Sequence, residues 1–176
     1  MDHPIDTQAA WIAQAEAILN KRTSPGTATR EIIARYDGIG FLNALMNGEL
    51  SYPPITETLN FIPVEAERGR VVVQGTPLFA HYNPLGSVHG GWYCAVLDTA
   101  LGCAVHSTLP KGKGYTTLEL KVNMIRPLTD RTGPVRAEGR IIHTGNQTAI
   151  AEATLFDSAG KLYASATTTC LIFDIA

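Results

Sequence analysis

The stretch that decides the fold is "NPLGSVHGGWYCAVLDTALG", Asn83 to Gly102. A histidine and two glycines precede an apolar run, and one carboxylate, Asp98, stands in the middle of it. Charged side chains are seldom buried unless they are paired or functional. The run from about Gly90 to Ser107 predicts a single helix, on the order of 27 Å long at 1.5 Å per residue. It is too short for a membrane span, which needs about 20 apolar residues with few charges.

Working outward, the flanks read as strands. Upstream, "TETLNFIPVEAERGRVVVQGTP" predicts two short strands joined near "ERGR". Downstream lie four segments rich in Val, Ile, Thr, Leu and Tyr: "YTTLELKVNMIRPL", "GPVRAEGRIIHTG", "QTAIAEATLFDSAG" and "KLYASATTTCLIFDI". Period-2 alternation bounded by Gly, Asn and Asp predicts antiparallel hairpins, here a four-strand meander. A sheet with one apolar face needs a cover, and the helix matches that job. The expected class is α+β, an antiparallel sheet wrapped around one long central helix. Further upstream the chain is helical in character. "DTQAAWIAQAEAILNKR" puts Trp11, Ala15, Ile18 and Leu19 on one face. A weaker helix covers roughly residues 29–36, and a short one, "GFLNALMNGEL", stops at Asn47-Gly48. "SYPPI" closes the region, because paired prolines cannot continue a helix. The expected organisation is an N-terminal helical extension, residues 1–50, followed by the sheet-and-helix domain, residues 51–176.

The totals agree with one folded domain. A chain of 176 residues can bury a sizeable core, and 45% hydrophobic with 17% charged residues is ordinary for a globular protein. The net charge of −2 and the absence of any Lys/Arg run give a nucleic-acid partner no electrostatic support. Three cysteines without a CxxC spacing argue against a disulfide framework and a structural zinc site. Cys94 and Cys103 fall in the apolar run and read as small hydrophobes. "MDHPIDTQAA" lacks the basic and apolar regions of a secretory signal, so the expected location is cytoplasmic, with no membrane partner.

Asn83, Gly86, His89, Gly90 and Gly91 spell Asn-x-x-Gly-x-x-His-Gly-Gly, with Asp98 seven residues after the second glycine of the pair. With the predicted architecture, this pattern resembles the hotdog-fold thioesterases of the PaaI-like (phenylacetic acid degradation) group. "TTLELKVNMIRPL" is similar to the segment that follows the helix in that family; Thr117 best matches its hydroxyl residue and Thr116 is the fallback. The resemblance covers roughly residues 58–173 and leaves the N-terminal fifty unexplained. It implies hydrolysis of an acyl thioester, most often acyl-CoA, with no metal and no cofactor beyond coenzyme A as part of the substrate. It also implies a homodimer or a dimer of dimers, with the acid from one subunit and the Asn and His-Gly segment from its neighbour. Related subgroups carry Glu where this chain has Asp98, which leaves the acyl group open.

The chemistry wants these residue types. Thioester hydrolysis places negative charge on the carbonyl oxygen, and unpaired N–H groups at a helix N-terminus stabilise it. Glycine lets a substrate approach the backbone closely, and the resemblance puts the key donor at Gly90, with Gly91 beside the substrate. Paired glycines are equally a tight strand-to-helix turn, and both roles are compatible. Asp98 lies roughly 12 Å further along the axis, too far to share one carbonyl with Gly90 of the same chain. A two-fold partner resolves the distance. Asp98 is then the general base on water, or a nucleophile forming a mixed anhydride. His89 reads as an orienting or binding group, and Thr117 as a water-positioning hydroxyl or an ordinary strand residue. Asn83 holds a water or caps a turn, as Asx residues before proline commonly do. Lys111, Lys113 and Arg126 are the nearest cations in sequence for coenzyme A phosphates, and each is equally a solvated charge. Trp92 and Tyr93 line an acyl pocket or pack in the core.

Two rivals compete. A hydratase of the same fold resembles an Asp-x4-His dyad, but Pro84 stands at that position before His89. A non-catalytic acyl-CoA binding module gains nothing from a carboxylate at position 98.

Overall fold

The computed structural model describes residues 4–175. The elements run α1 (Pro4–Leu19), α2 (Arg30–Arg35), α3 (Gly38–Met46), α4 (Ile55–Thr58), β1 (Phe61–Glu67), β2 (Arg70–Gly75), α5 (Gly90–His106), β3 (Lys113–Met124), β4 (Val135–Thr144), β5 (Thr148–Asp157) and β6 (Leu162–Asp174). A short 3-10 turn, Phe79–His81, precedes α5. The six strands form one antiparallel sheet in the order β1-β2-β4-β5-β6-β3. This is the expected α+β arrangement, with α5 packed across the sheet's apolar face.

The helix is buried on most sides. Val96, Leu97, Ala100, Leu101 and Val105 are fully buried, against Ala149, Ala151 and Leu155 of β5 and Val71 and Val73 of β2. Strand β5 buries alternate residues, as a half-covered strand must. Gly139 on β4 lets the two layers approach: a Cβ there would stand 2.3 Å from the Ala100 carbonyl oxygen. No helix among the described residues is long and apolar enough to cross a membrane.

The four-strand meander is corrected. Strand β3 does not pair with β4; it pairs with β6 at the far edge, and β4 pairs with β2. Residues 125–134 carry the chain from one side of the sheet to the other, anchored by the fully buried Leu128. Alternation marks a strand without naming its neighbour, and this connection is too long and proline-rich for a tight hairpin.

The N-terminal helices split between the two faces. Helix α1 lies on the outer face, where Ala15 and Ile18 pack with Ile62, Val64 and Val72. Arg136 ties it down: its guanidinium stacks on Trp11 at 4.3 Å and donates to Gln14 Oε1 (2.7 Å), Glu65 Oε1 (2.9 Å) and Gln74 Oε1 (3.0 Å). Leu19, expected on the buried face, is 43% exposed, because α1 ends there rather than at Arg22. Helix α3 packs on the inner side, against the C-terminal end of α5. The Gly38 N–H donates to the Leu109 carbonyl at 2.9 Å, and Leu42 enters the main core. Gly48, with φ of 74°, turns the chain after Asn47 as the sequence predicts.

Candidate active site

Two hollows lie along one helix. The first is at the start of α5. Asn83 Oδ1 accepts the amides of Leu85 (2.9 Å) and Ser87 (3.3 Å), and its Nδ2 donates to Ser87 Oγ. Of its two expected roles, Asn83 thus fills that of turn cap. His89 is the N-cap of α5: its Nδ1 accepts the Gly91 N–H at 2.9 Å, so the neutral ring carries its proton on Nε2. The Gly90 N–H has no acceptor among the described residues. It is one of the orphan donors at the positive end of a long helix. On its Cα side Gly90 packs closely, since a Cβ there would stand 2.9 Å from Met124 Cε. Asn83, Gly90, Tyr93, Met124 and Arg126 line a hollow of about 280 Å³.

The second hollow holds Asp98, half-buried two turns further along. The Thr117 hydroxyl donates to Asp98 Oδ1 at 2.9 Å, which leaves Oδ2 without a partner among the described residues. A bulge in β3, where Leu118 is extra between Thr117 and Glu119, helps aim Thr117 at the helix. The neighbours of Asp98 are kept neutral. Burial first, then the Asp98 charge, pushes the Cys94 thiol up and the Cys103 thiol up to about 12. Burial likewise raises Cys170, and it raises Tyr115 well above the usual phenol range. None of these groups competes with the carboxylate as base or nucleophile near neutral pH. Asp98, Cys103, Tyr115 and Phe173 share a cavity of about 610 Å³ with Phe41 and Leu45 of α3.

The expected site residues therefore fall into separate groups. Asp98 and Thr117 meet directly, while Thr116 is exposed on the opposite side of β3. Asn83, His89, Gly90, Gly91 and Arg126 gather at the helix start. The Arg126 Nη1 donates to the Leu162 carbonyl at 2.5 Å. Trp92 is a core residue, 2% exposed, with Nε1 donating to the Leu59 carbonyl and its ring stacked on the buried His81. It lines neither hollow, because its position on α5 faces β1 and β2 rather than β3. Tyr93 is also buried; its hydroxyl donates to the Arg126 carbonyl and accepts the Leu128 amide. Strand β3 runs antiparallel to α5, with Tyr115 against Gly102 and Met124 against Gly90. Lys111 and Lys113 consequently sit at the far end from Gly90, and Lys113 pairs with Asp174 at 2.7 Å. Tyr115, Phe41 and Leu45 are site-wall residues the sequence reading passed over. Gly102 inside a helical run was the available signal, since such a glycine usually marks a close approach.

The family described as "Thioesterase superfamily" matches residues 85–164. The protein named "Putative esterase SSO1253" of Saccharolobus solfataricus is 33% identical over 123 residues, covering 66% of this chain and 78% of that protein. A phenylacetic acid degradation-related protein from Ralstonia eutropha JMP134 has a solved structure with a TM-score of 0.68 at 28% identity, covering 74% of this chain and 98% of that one. The smu.793 protein of Streptococcus mutans UA159, solved bound to acetyl CoA, gives 0.59 at 27% identity over 65% and 90% of the two chains.

Proposed function

The chain belongs to the thioesterase superfamily, and we propose that it hydrolyses an acyl-CoA thioester to free acid and coenzyme A in a site shared by two subunits. The observation that carries this reading is the division of labour along α5: an unsatisfied Gly90 amide at one point, and a Thr117-anchored carboxylate roughly 12 Å on. The carbonyl oxygen accepts from Gly90 at the positive end of the helix, where negative charge develops during attack. Asp98 from the other subunit supplies the base or nucleophile. Thr117 holds Oδ1, so the open Oδ2 faces the water or the carbonyl carbon. His89 and Gly91 satisfy each other and fix the turn, which keeps the Gly90 N–H pointed outward.

A second copy is supported by the sheet edge. Strand β3 is 12 residues long and has no partner on its outer side among the described residues, with Leu118 58% exposed and Met124 50% exposed on it. Such an edge is a ready template for pairing with an identical strand. Coenzyme A as the thiol carrier is supported by the acetyl CoA bound in the Streptococcus mutans relative, and Arg126 beside the Gly90 hollow offers a cation for its phosphates.

The test is thiol release from a panel of acyl-CoA esters, with Asp98→Asn beside the native protein. Asp98→Asn is expected to lower turnover by about 10² or more while the fold persists. Undiminished turnover in the variant would remove Asp98 from the mechanism. Absence of turnover on every ester, with coenzyme A still raising the melting temperature, would replace the enzyme by a binding module.

A further inference from the structure

We infer that the N-terminal segment α2–α3 forms the far wall of the acyl pocket, and that the substrate carries a medium-chain acyl body rather than acetyl. The inference rests on the thioesterase reading and adds the substrate class. Its evidence is the cavity beside Asp98. Ile33 of α2 and Phe41 and Leu45 of α3 face Tyr115 and Phe173 across it. All three extension residues are half-buried, so each presents apolar surface to the cavity. They stand outside residues 85–164, the part that matches the family.

The wall is fixed in place. Gly38 lies so close to α5 that a Cβ would stand 1.6 Å from the His106 carbonyl oxygen. The Phe41 ring meets His106 edge-on at 5.4 Å, and Leu42 is sealed in the core. The space is large for a two-carbon acyl group. The cavity measures about 610 Å³ and opens to solvent. Behind Leu45 a smaller hollow of about 70 Å³ shares Leu42, Thr99 and Cys103 with the main cavity. Leu45 is one of the side chains that separate the two.

Non-hydrolysable S-alkyl-CoA thioethers test the wall without relying on catalysis. Titration calorimetry of the full chain is expected to give affinity rising about fourfold per methylene, the equivalent of burying one CH₂, until the pocket fills. Leu45→Trp is expected to cut the octyl-to-ethyl affinity ratio at least tenfold. Leu45→Ala joins the small hollow to the cavity and moves the optimum to longer chains. If Leu45→Trp loses its circular dichroism signature, Ile33→Trp on α2, which has no buried residue, is read in its place. Affinity independent of chain length in the native protein overturns the inference, as does a length profile unchanged by both tryptophans. Ester hydrolysis with a flat length profile leaves the thioesterase reading standing and removes the wall. Length-selective binding without hydrolysis does the reverse.

Discussion

Asp98 draws its chemistry from its surroundings. A lone carboxylate on a buried helix is costly unless something holds it, and Thr117 does so from the facing strand. His106 is the opposite case. Both its ring nitrogens are buried without a hydrogen-bond partner among the described residues, between the rings of Phe41 and Tyr115. Burial holds its pKa below the usual 6.5, although the Asp37 charge works against the shift. The unfolded chain then binds the proton more readily than the folded one. This penalty is absent well above pH 6.5 and grows as the pH falls through 6.5 toward the folded value. His106→Phe removes the unmet nitrogens and the titration together. It is expected to raise the melting temperature at pH 7 and to raise it further at pH 5.5, by thermal unfolding at both pH values. A variant that melts lower at both would show that the imidazole has a partner.

At the scale of elements, α3 packs against the C-terminal end of α5 and sends Leu42 into the main core. Its closest approach is at one residue without a side chain, Gly38, against the last turn of α5. The clash in Gly38→Ala is with backbone, so no rotamer relieves it. The expected cost is about 2 kcal/mol or more, read as a lower melting temperature. Because α3 carries the wall of the cavity, the same variant should also blur discrimination by acyl length. An unchanged melting temperature would mean that α3 moves freely on α5. Helix α1 has a different anchorage, the Arg136 cluster on the outer face. Helical spacing identified its apolar stripe, with Leu19 the exception. Which surface would receive that stripe depended on Ile62, Val64 and Val72, residues of strands that are distant in sequence.

For the whole molecule, the two hollows on one helix make a complementation prediction. Gly90→Pro deletes the proposed donor. The first helical position tolerates proline, and His89 already has the extended backbone that proline requires before it. Alone, it should lower kcat by about 10² to 10³. Mixed with Asp98→Asn after co-refolding, half of the dimers would be heterodimers with one intact site each. About one quarter of native activity should return if Gly90 and Asp98 meet across a two-fold interface. A mixture no more active than its components would place both residues of each working site on one subunit.

The sequence by itself determined the helix, because a long, proline-free run from Gly90 onward, apolar except at Asp98 and Thr99, admits little else. It determined the strands, through alternation with period two, and the family resemblance carried by its motif singled out Gly90, Asp98 and Thr117. These are local properties, written in neighbouring residues. Only the tertiary structure decided that β3 lies at the far edge beside β6, since strand pairing is a contest among partners far apart in the chain. Only it decided that Trp92 packs in the core while Phe41 and Leu45 wall the cavity at Asp98. Those outcomes follow from which surfaces remain to be covered once α5 has settled on the sheet, and no local pattern encodes that remainder.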